Sequence, residues 1–106
     1  MSYRFMRIIV FFDLPTETEF DKREYRHFRK LLIKNGFIML QESVYSRIVL
    51  NPSIQRGVQE TLRKSRPSNG LVQILTITER QFASMEFLVG EHTTDVIDTD
   101  ERMVIL

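Results

Sequence analysis

The sequence predicts an α+β domain in which a strand–helix–strand pattern occurs twice. Asn-Gly pairs recur at 35–36 and 69–70, each between a stretch of helical periodicity and an apolar, strand-like stretch. Two further strand-like segments, at 37–41 and 43–50, lie between the helical stretches. The resulting order, β-α-β-β-α-β with a C-terminal strand extension, is that of the ferredoxin-like fold, whose antiparallel sheet has both helices on one face.

The first strand, predicted at residues 3–14, has apolar side chains on both of its faces. The opposite, helix-free face would carry Phe5, Ile9 and Phe11, interrupted by Arg7. An apolar face without a helix needs another cover, and a two-fold symmetric homodimer is the commonest solution. The residues expected beneath the helices are Met6, Ile8, Val10 and Phe12.

The first helix is predicted to begin after Pro15, with Thr16 as its N-cap and Glu19 completing a capping box. It extends to residue 35, where the Asn35-Gly36 pair supplies a left-handed C-cap. Apolar residues at three- and four-residue spacings predict its buried side. These residues are Phe20, Tyr25, Phe28, Leu31 and Leu32.

The rest of the chain continues the alternation. Val44, Ile48 and Leu50 alternate along the strand at 43–50, and Asn51-Pro52 is a helix-start signature. The second helix carries Ile54, Val58 and Leu62 and ends before Pro67. We then expect a strand at 71–78, a helical turn at 81–85, a fifth strand at 85–89, an acidic connector at 91–101 and a last strand at 102–106.

The composition of the chain excludes several classes of protein. A length of 106 residues corresponds to one domain. The absence of cysteine excludes a disulfide framework, a thiolate metal site and a cysteine nucleophile. The longest wholly apolar run, at 8–12, is too short to span a bilayer, and the N-terminus lacks the apolar region of a signal peptide. We therefore expect a cytoplasmic domain without a membrane partner.

The net charge of +1 hides an asymmetry along the chain. Residues 1–66 carry a net charge of +6, and residues 67–106 carry −5. Such segregation predicts one surface for a polyanion and a separate acidic segment that faces a protein partner. The alternative is that the two parts lie side by side and neutralise each other.

Basic residues are concentrated on the two predicted helices. Arginine outnumbers lysine by 11 to 4, which favours bidentate contact with phosphate. The alternative is an ordinary solvated face, with acidic partners at positions 19, 21 and 24. The predicted phosphate-binding residues are Lys22, Arg23, Arg26, Arg29 and Lys30 on the first helix and Arg63, Lys64 and Arg66 at the end of the second.

Asp13 is the candidate catalytic and metal-binding residue. It lies at the end of the first strand, immediately before the strand is broken at Pro15. A turn aspartate that accepts from nearby amides is the alternative. In a homodimer, two copies of Asp13 near the two-fold axis would supply oxygen ligands for Mg²⁺.

Several of these segments together resemble a known family. They are residues 8–15, the basic helix, Gly36, the Gln-Glu-Ser-Val-Tyr motif at 41–45 and the Leu-Thr-Ile-Thr-Glu motif at 75–79. The chain resembles, over its whole length, the small CRISPR-associated adaptation protein, also called the CRISPR-associated endoribonuclease. The segments at 78–82 and 101–106 are similar to the subgroup that accompanies the single-protein effector nuclease.

The resemblance implies a homodimer that bridges two dimers of the CRISPR integrase and captures double-stranded prespacer DNA. It also implies magnesium-dependent cleavage of RNA or DNA, with Asp13 as the matching metal ligand. The family often has tyrosine before this aspartate, where this chain has Phe12, so a hydroxyl near the expected metal is absent. The residues expected to dock the dimer mate or the integrase are Arg102, Met103, Val104, Ile105 and Leu106.

The predicted function is therefore spacer acquisition, with phosphate contacts made by both protomers and no reading of sequence. Two alternatives remain open. One is a stand-alone metal-dependent nuclease of RNA or DNA that uses Asp13, and the other is a ferredoxin-like regulatory dimer that binds a small ligand.

Overall fold

A computed structural model describes residues 5–91 and contains one four-stranded sheet with three helices. The order of the two longer helices and the four strands confirms the predicted β-α-β-β-α-β pattern. None of the helices in the described range is long and apolar enough to cross a membrane. The elements are β1 (Met6–Asp13), α1 (Glu19–Lys34), β2 (Ile38–Gln41), β3 (Val44–Val49), α2 (Pro52–Lys64), β4 (Leu71–Thr78) and α3 (Glu79–Ala83).

The sheet is antiparallel throughout, with the strand order β2-β3-β1-β4. β1 is therefore a central strand, and its Ile9 lies opposite Ser46 on β3 and Leu75 on β4. As a central strand, β1 has a hydrogen-bonded neighbour along each of its edges.

One face of the sheet is covered by α1 and α2, and the core lies between them. Phe28 and Leu32 of α1 and Val58 and Leu62 of α2 are buried against the sheet. The two helices thus share one face, as the ferredoxin-like fold requires. Their partners on the sheet are Ile8, Val10, Phe12, Tyr45 and Val49.

The opposite face of the sheet, the open face, is apolar and only partly covered. Phe11 is 37% exposed, and Leu75 is 50% exposed. Ile9, by contrast, is 5% exposed, and its neighbour Ser46 is fully buried. The register places Ile38 and Ile48 on the same face, and both are about two-fifths exposed. The predicted apolar second face of β1 is therefore confirmed.

The start of α1 differs from the prediction. Its N-cap is Thr18, whose hydroxyl accepts from the Asp21 amide at 3.0 Å, while the Asp21 carboxylate accepts from the Thr18 amide at 3.2 Å. Thr16 and Glu19 therefore do not form the capping box. Phe20 is also not in the buried stripe, since it is 49% exposed. The predicted C-cap is confirmed by Gly36, whose φ is +86°.

The prediction for residues 81–89 needs correction. Residues 85–89 do not form a strand in the described part of the chain, and the helical turn begins earlier than expected, at Glu79. On β3 the predicted alternation is confirmed: Val44 and Ile48 share the open face, and Tyr45 and Val49 lie beneath the helices. The acidic connector beyond position 91 and the last strand at 102–106 lie outside the described residues.

Candidate nucleic-acid interface

The outer surfaces of α1 and α2 carry the predicted phosphate-binding residues. α1 has six basic and three acidic residues, and α2 has three basic and one. Because each helix buries only its apolar stripe, the charged residues lie outward, away from the sheet. All eight residues of the predicted set are exposed.

The basic residues of α1 differ in how strongly they are already engaged. Lys22 forms an exposed ion pair with Glu19 at 3.6 Å, and the Arg23 guanidinium lies 6.0 Å from the centre of the Phe20 ring. Such exposed contacts are weak and compete poorly with a phosphate. Arg26 and Lys30 have no ion pair or hydrogen bond within residues 5–91.

Arg29 is held by a residue of the core. Its Nε donates to the hydroxyl of Tyr45 at 2.8 Å, and Tyr45 is fully buried. The Tyr45 ring lies 5.7 Å from that of Phe12, which fixes it in the centre of the helix-covered face. The exposed guanidinium of Arg29 is therefore attached to a rigid support.

The basic residues of α2 gather in and after its last turn. Arg63 forms an exposed pair with Glu60 at 3.1 Å, and Arg66 donates to the carbonyl of Arg63 at 2.7 Å. Lys64 has no such partner within the described range. A cluster of positive charge at a helix C-terminus is favoured by the helix dipole, so this placement costs little.

A polar contact joins the two helical regions. Glu24 of α1 accepts from both the amide and the hydroxyl of Ser68, at 3.1 and 3.2 Å, in the loop that follows α2. β1 and β3 are antiparallel, so the two helices that return across them are also antiparallel. The first half of α1 thus lies beside the C-terminal end of α2, and the structure brings the two basic groups onto one side of the sheet.

Asp13, the candidate catalytic and metal-binding residue, lies at the exposed end of β1. It pairs with Leu71 of β4 and shares the open face with Phe11. Gly70 approaches the Asp13 backbone so closely that a Cβ at Gly70 would lie 2.8 Å from the Asp13 carbonyl oxygen. Within residues 5–91, no group of three or more metal-ligating side chains occurs.

Phe12 does not bear on that carboxylate. Its side chain is 4% exposed and lies on the helix-covered face, where it contacts the rings of Tyr25, Phe28 and Tyr45. A hydroxyl at this position would point into the core and away from Asp13. The inference that Phe12 deprives a metal of a nearby hydroxyl is therefore wrong.

A polar cluster on the open face was missed by the sequence reasoning. The Arg7 guanidinium lies 2.7 Å from the Glu79 carboxylate, 4.1 Å from the centre of the Phe82 ring and 3.2 Å from the Ser46 hydroxyl. These contacts attach α3 to the sheet. The sequence signal was Arg7 itself, a charge inside an apolar strand, which indicates a partner from elsewhere in the chain.

Residues 6–85 match the family model described as CRISPR associated protein Cas2. The geometry defines the class of protein, a ferredoxin-like domain with two basic helices. The family match identifies the family within that class. The chain belongs to the CRISPR Cas2 family.

Curated relatives agree over nearly the whole chain. A protein of Treponema denticola named CRISPR-associated endoribonuclease Cas2 is 50% identical over 95% of this chain and all of its own length. One of Streptococcus mutans with the same name is 45% identical over 95% of this chain and 93% of its own. A solved Streptococcus pyogenes Cas2 structure has the same fold, with a TM-score of 0.60 at 20% identity over 78% of this chain and 99% of its own.

Proposed function

We propose that this protein acts in CRISPR adaptation, as a homodimer that binds double-stranded prespacer DNA through its phosphates and bridges dimers of the integrase. The single observation that carries the proposal is the convergence of the basic residues of α1 and α2 on one side of the sheet. Arg26, Lys30 and Lys64, which have no partner within residues 5–91, are available to phosphate. These basic side chains contact the phosphates of the DNA backbone and not the base edges. Phosphate contacts carry no sequence information, so binding is independent of sequence.

The dimer follows from the open face. Phe11, Ile48 and Leu75 expose apolar area on the side of the sheet away from the basic helices. Pairing two copies through this face buries that area and leaves both basic surfaces outward. A homodimer of this kind presents two phosphate-binding surfaces, which suits a long duplex.

Docking to the integrase rests on charge. The last part of the chain, from position 67 onward, has a net charge of −5. An acidic segment is repelled by the DNA that the helices attract, so it favours a protein partner. We assign this role to the acidic connector and the residues 102–106.

The test is the salt dependence of duplex binding. Reversing Arg26 and Lys30 to glutamate should weaken binding to a mixed-sequence duplex and reduce the slope of log K against log salt by about 2 per protomer, because each lost phosphate contact contributes about 0.9. Arg80→Glu, an exposed reversal outside α1 and α2, is the control and should change the slope by less than about half a unit per protomer. An unchanged slope in the double variant contradicts the assignment of this surface.

A metal-dependent nuclease is the second candidate function, and the placement of Asp13 favours it. Its exposed carboxylate shares the open face with Phe11, so a dimer formed through that face would bring two carboxylates toward its axis. Two carboxylates with water would provide the hard oxygen ligands that Mg²⁺ takes, and the bound ion would supply the activation of water. The curated relatives carry the word endoribonuclease in their names. Mg²⁺-dependent cleavage of RNA or DNA by the purified protein, abolished by Asp13→Ala, would establish this activity.

A further inference from the structure

The hydrogen bond between Arg29 and Tyr45 joins the basic surface to the core. Tyr45 has no exposed surface, yet its hydroxyl reaches the Nε of an exposed arginine at 2.8 Å. The Gln-Glu-Ser-Val-Tyr motif at 41–45 ends with this tyrosine. The proposed function assigns no role to this motif.

The bond uses one donor of Arg29 and leaves the four N–H groups of its two Nη atoms for a phosphate. An arginine grips a phosphate through two parallel N–H groups, and its guanidinium has five. With Nε donating to Tyr45, the two Nη groups remain, and neither has a hydrogen-bond partner within residues 5–91. The guanidinium is thus oriented with its free fork available to a ligand.

Support of this kind is unusual on this surface. Lys22 and Arg63 contact exposed glutamates of their own helices, and Arg26 and Lys30 contact no polar group within the described range. A long basic side chain loses rotamer freedom when it binds, and this loss opposes binding. Arg29 has already lost part of that freedom in the free protein.

We propose that Tyr45 is a positioning residue, which holds the Arg29 guanidinium in the orientation that takes a phosphodiester group of the duplex. The inference rests on the proposed function, because it assigns a phosphate ligand within the same surface. Tyr45 itself does not touch the DNA. Its effect is to preorganise one of the phosphate contacts, whereas Arg26 and Lys30 on the same helix have no polar partner within residues 5–91.

The test compares duplex affinity and salt slope in the full-length protein, with a mixed-sequence DNA duplex as probe. Tyr45→Phe keeps the ring and removes the acceptor, so the Kd should rise about three- to tenfold, the range expected for one hydrogen bond. The salt slope should stay unchanged, because Arg29 keeps its charge. Arg29→Gln should raise the Kd and also reduce the slope by about 0.9 per protomer.

The control is Tyr25→Phe, which makes the same change in a half-buried tyrosine that also contacts the Phe12 ring, at 5.9 Å. The Tyr25 hydroxyl has no hydrogen-bond partner in the described range, so this variant should bind as the unaltered protein does. In the double variant Tyr45→Phe/Arg29→Gln, the Kd should equal that of Arg29→Gln within twofold. A hydroxyl that served packing alone would give additive losses.

The outcomes separate the two proposals. If the unaltered protein binds no duplex, the proposed function and this inference both fall. If it binds and Tyr45→Phe matches it in Kd, or if the two substitutions add, the positioning role is overturned while the proposed function stands. A raised Kd with an unchanged slope and a non-additive double variant supports the role.

Discussion

The ion pair between Arg7 and Glu79 should contribute measurably to the stability of the fold. Arg7 Nη2 lies 2.7 Å from Glu79 Oε2, and the two side chains are only 16% and 25% exposed. The Arg7 guanidinium also lies 4.1 Å from the Phe82 ring, while its Nε is buried without an acceptor in the described residues. Removing the carboxylate charge would therefore leave a largely desolvated cation without an anionic partner, beside the Phe82 ring and the Ser46 hydroxyl.

The substitution that isolates this charge is Glu79→Gln, which keeps the length and shape of the side chain. Exposed pairs contribute about 0–1 kcal/mol, and breaking a fully buried pair costs about 3–5 kcal/mol. The partial exposure of this pair places the expected loss at about 2 kcal/mol. With an m-value near 1–3 kcal/mol per molar in urea, the unfolding midpoint should fall by about 1 M.

The assay is urea unfolding followed by circular dichroism at one fixed protomer concentration, since any association changes the apparent stability. The control is Glu60→Gln, which breaks the pair with Arg63. The side chains of Arg63 and Glu60 are 62% and 53% exposed, so the free energy of unfolding should fall by less than about 0.5 kcal/mol. A loss for Glu79→Gln as small as that of the control would refute the reasoning from burial.

Two further predictions concern the end of β1. Gly70→Ala should destabilise the protein by about 2 kcal/mol or more, because its φ is +92° and the new Cβ would lie 2.8 Å from the Asp13 carbonyl oxygen. Thermal unfolding would measure this, and Gly57→Ala on α2, where a Cβ meets nothing within 4 Å, should stabilise by about 0.5–1 kcal/mol. Asp13→Ala should leave duplex affinity and spacer acquisition intact while removing Mg²⁺-dependent cleavage; loss of acquisition by folded protein would contradict this division of roles.

The order of the elements was predictable because the local signals are strong. Asn51 caps α2 through its side chain, which accepts from the Ile54 amide at 2.8 Å, as the Asn-Pro pair predicts. The capping of α1 was not decidable, because the stretch at 16–21 contains two overlapping boxes and the sequence satisfies both. The choice of Thr18 over Thr16 is set by the path of the chain from sheet to helix.

The errors arise where structure depends on a distant partner. A strand forms only where another strand offers hydrogen bonds. The β-propensity of residues 85–89 predicted a strand, but in the described structure these residues do not form one. The periodicity of α1 included Phe20, which lies at the helix end beyond the edge of the core and is half-exposed. The role of Arg7 could not be predicted, because its partner Glu79 lies 72 residues further along the chain.

The same lesson holds for the basic surface. Counting basic residues identified the two helices as the proposed phosphate-binding surface, but it could not distinguish one arginine from another. The distinction between Arg29, which is anchored at Tyr45, and Arg26, which has no partner in the described residues, needs the side-chain geometry. Spacing along one helix cannot reveal a hydrogen bond to a strand beneath it.

The strand order has a consequence for synthesis of the protein. β1 is made first, yet it occupies the middle of the sheet, where Met6 pairs with Thr78 and Asp13 with Leu71. Until β4 leaves the ribosome, one edge of this apolar strand has no neighbour, and exposed edges of this kind invite aggregation. Closure of the sheet thus depends on contacts between the two ends of the described chain, which makes it a late and comparatively slow event in folding.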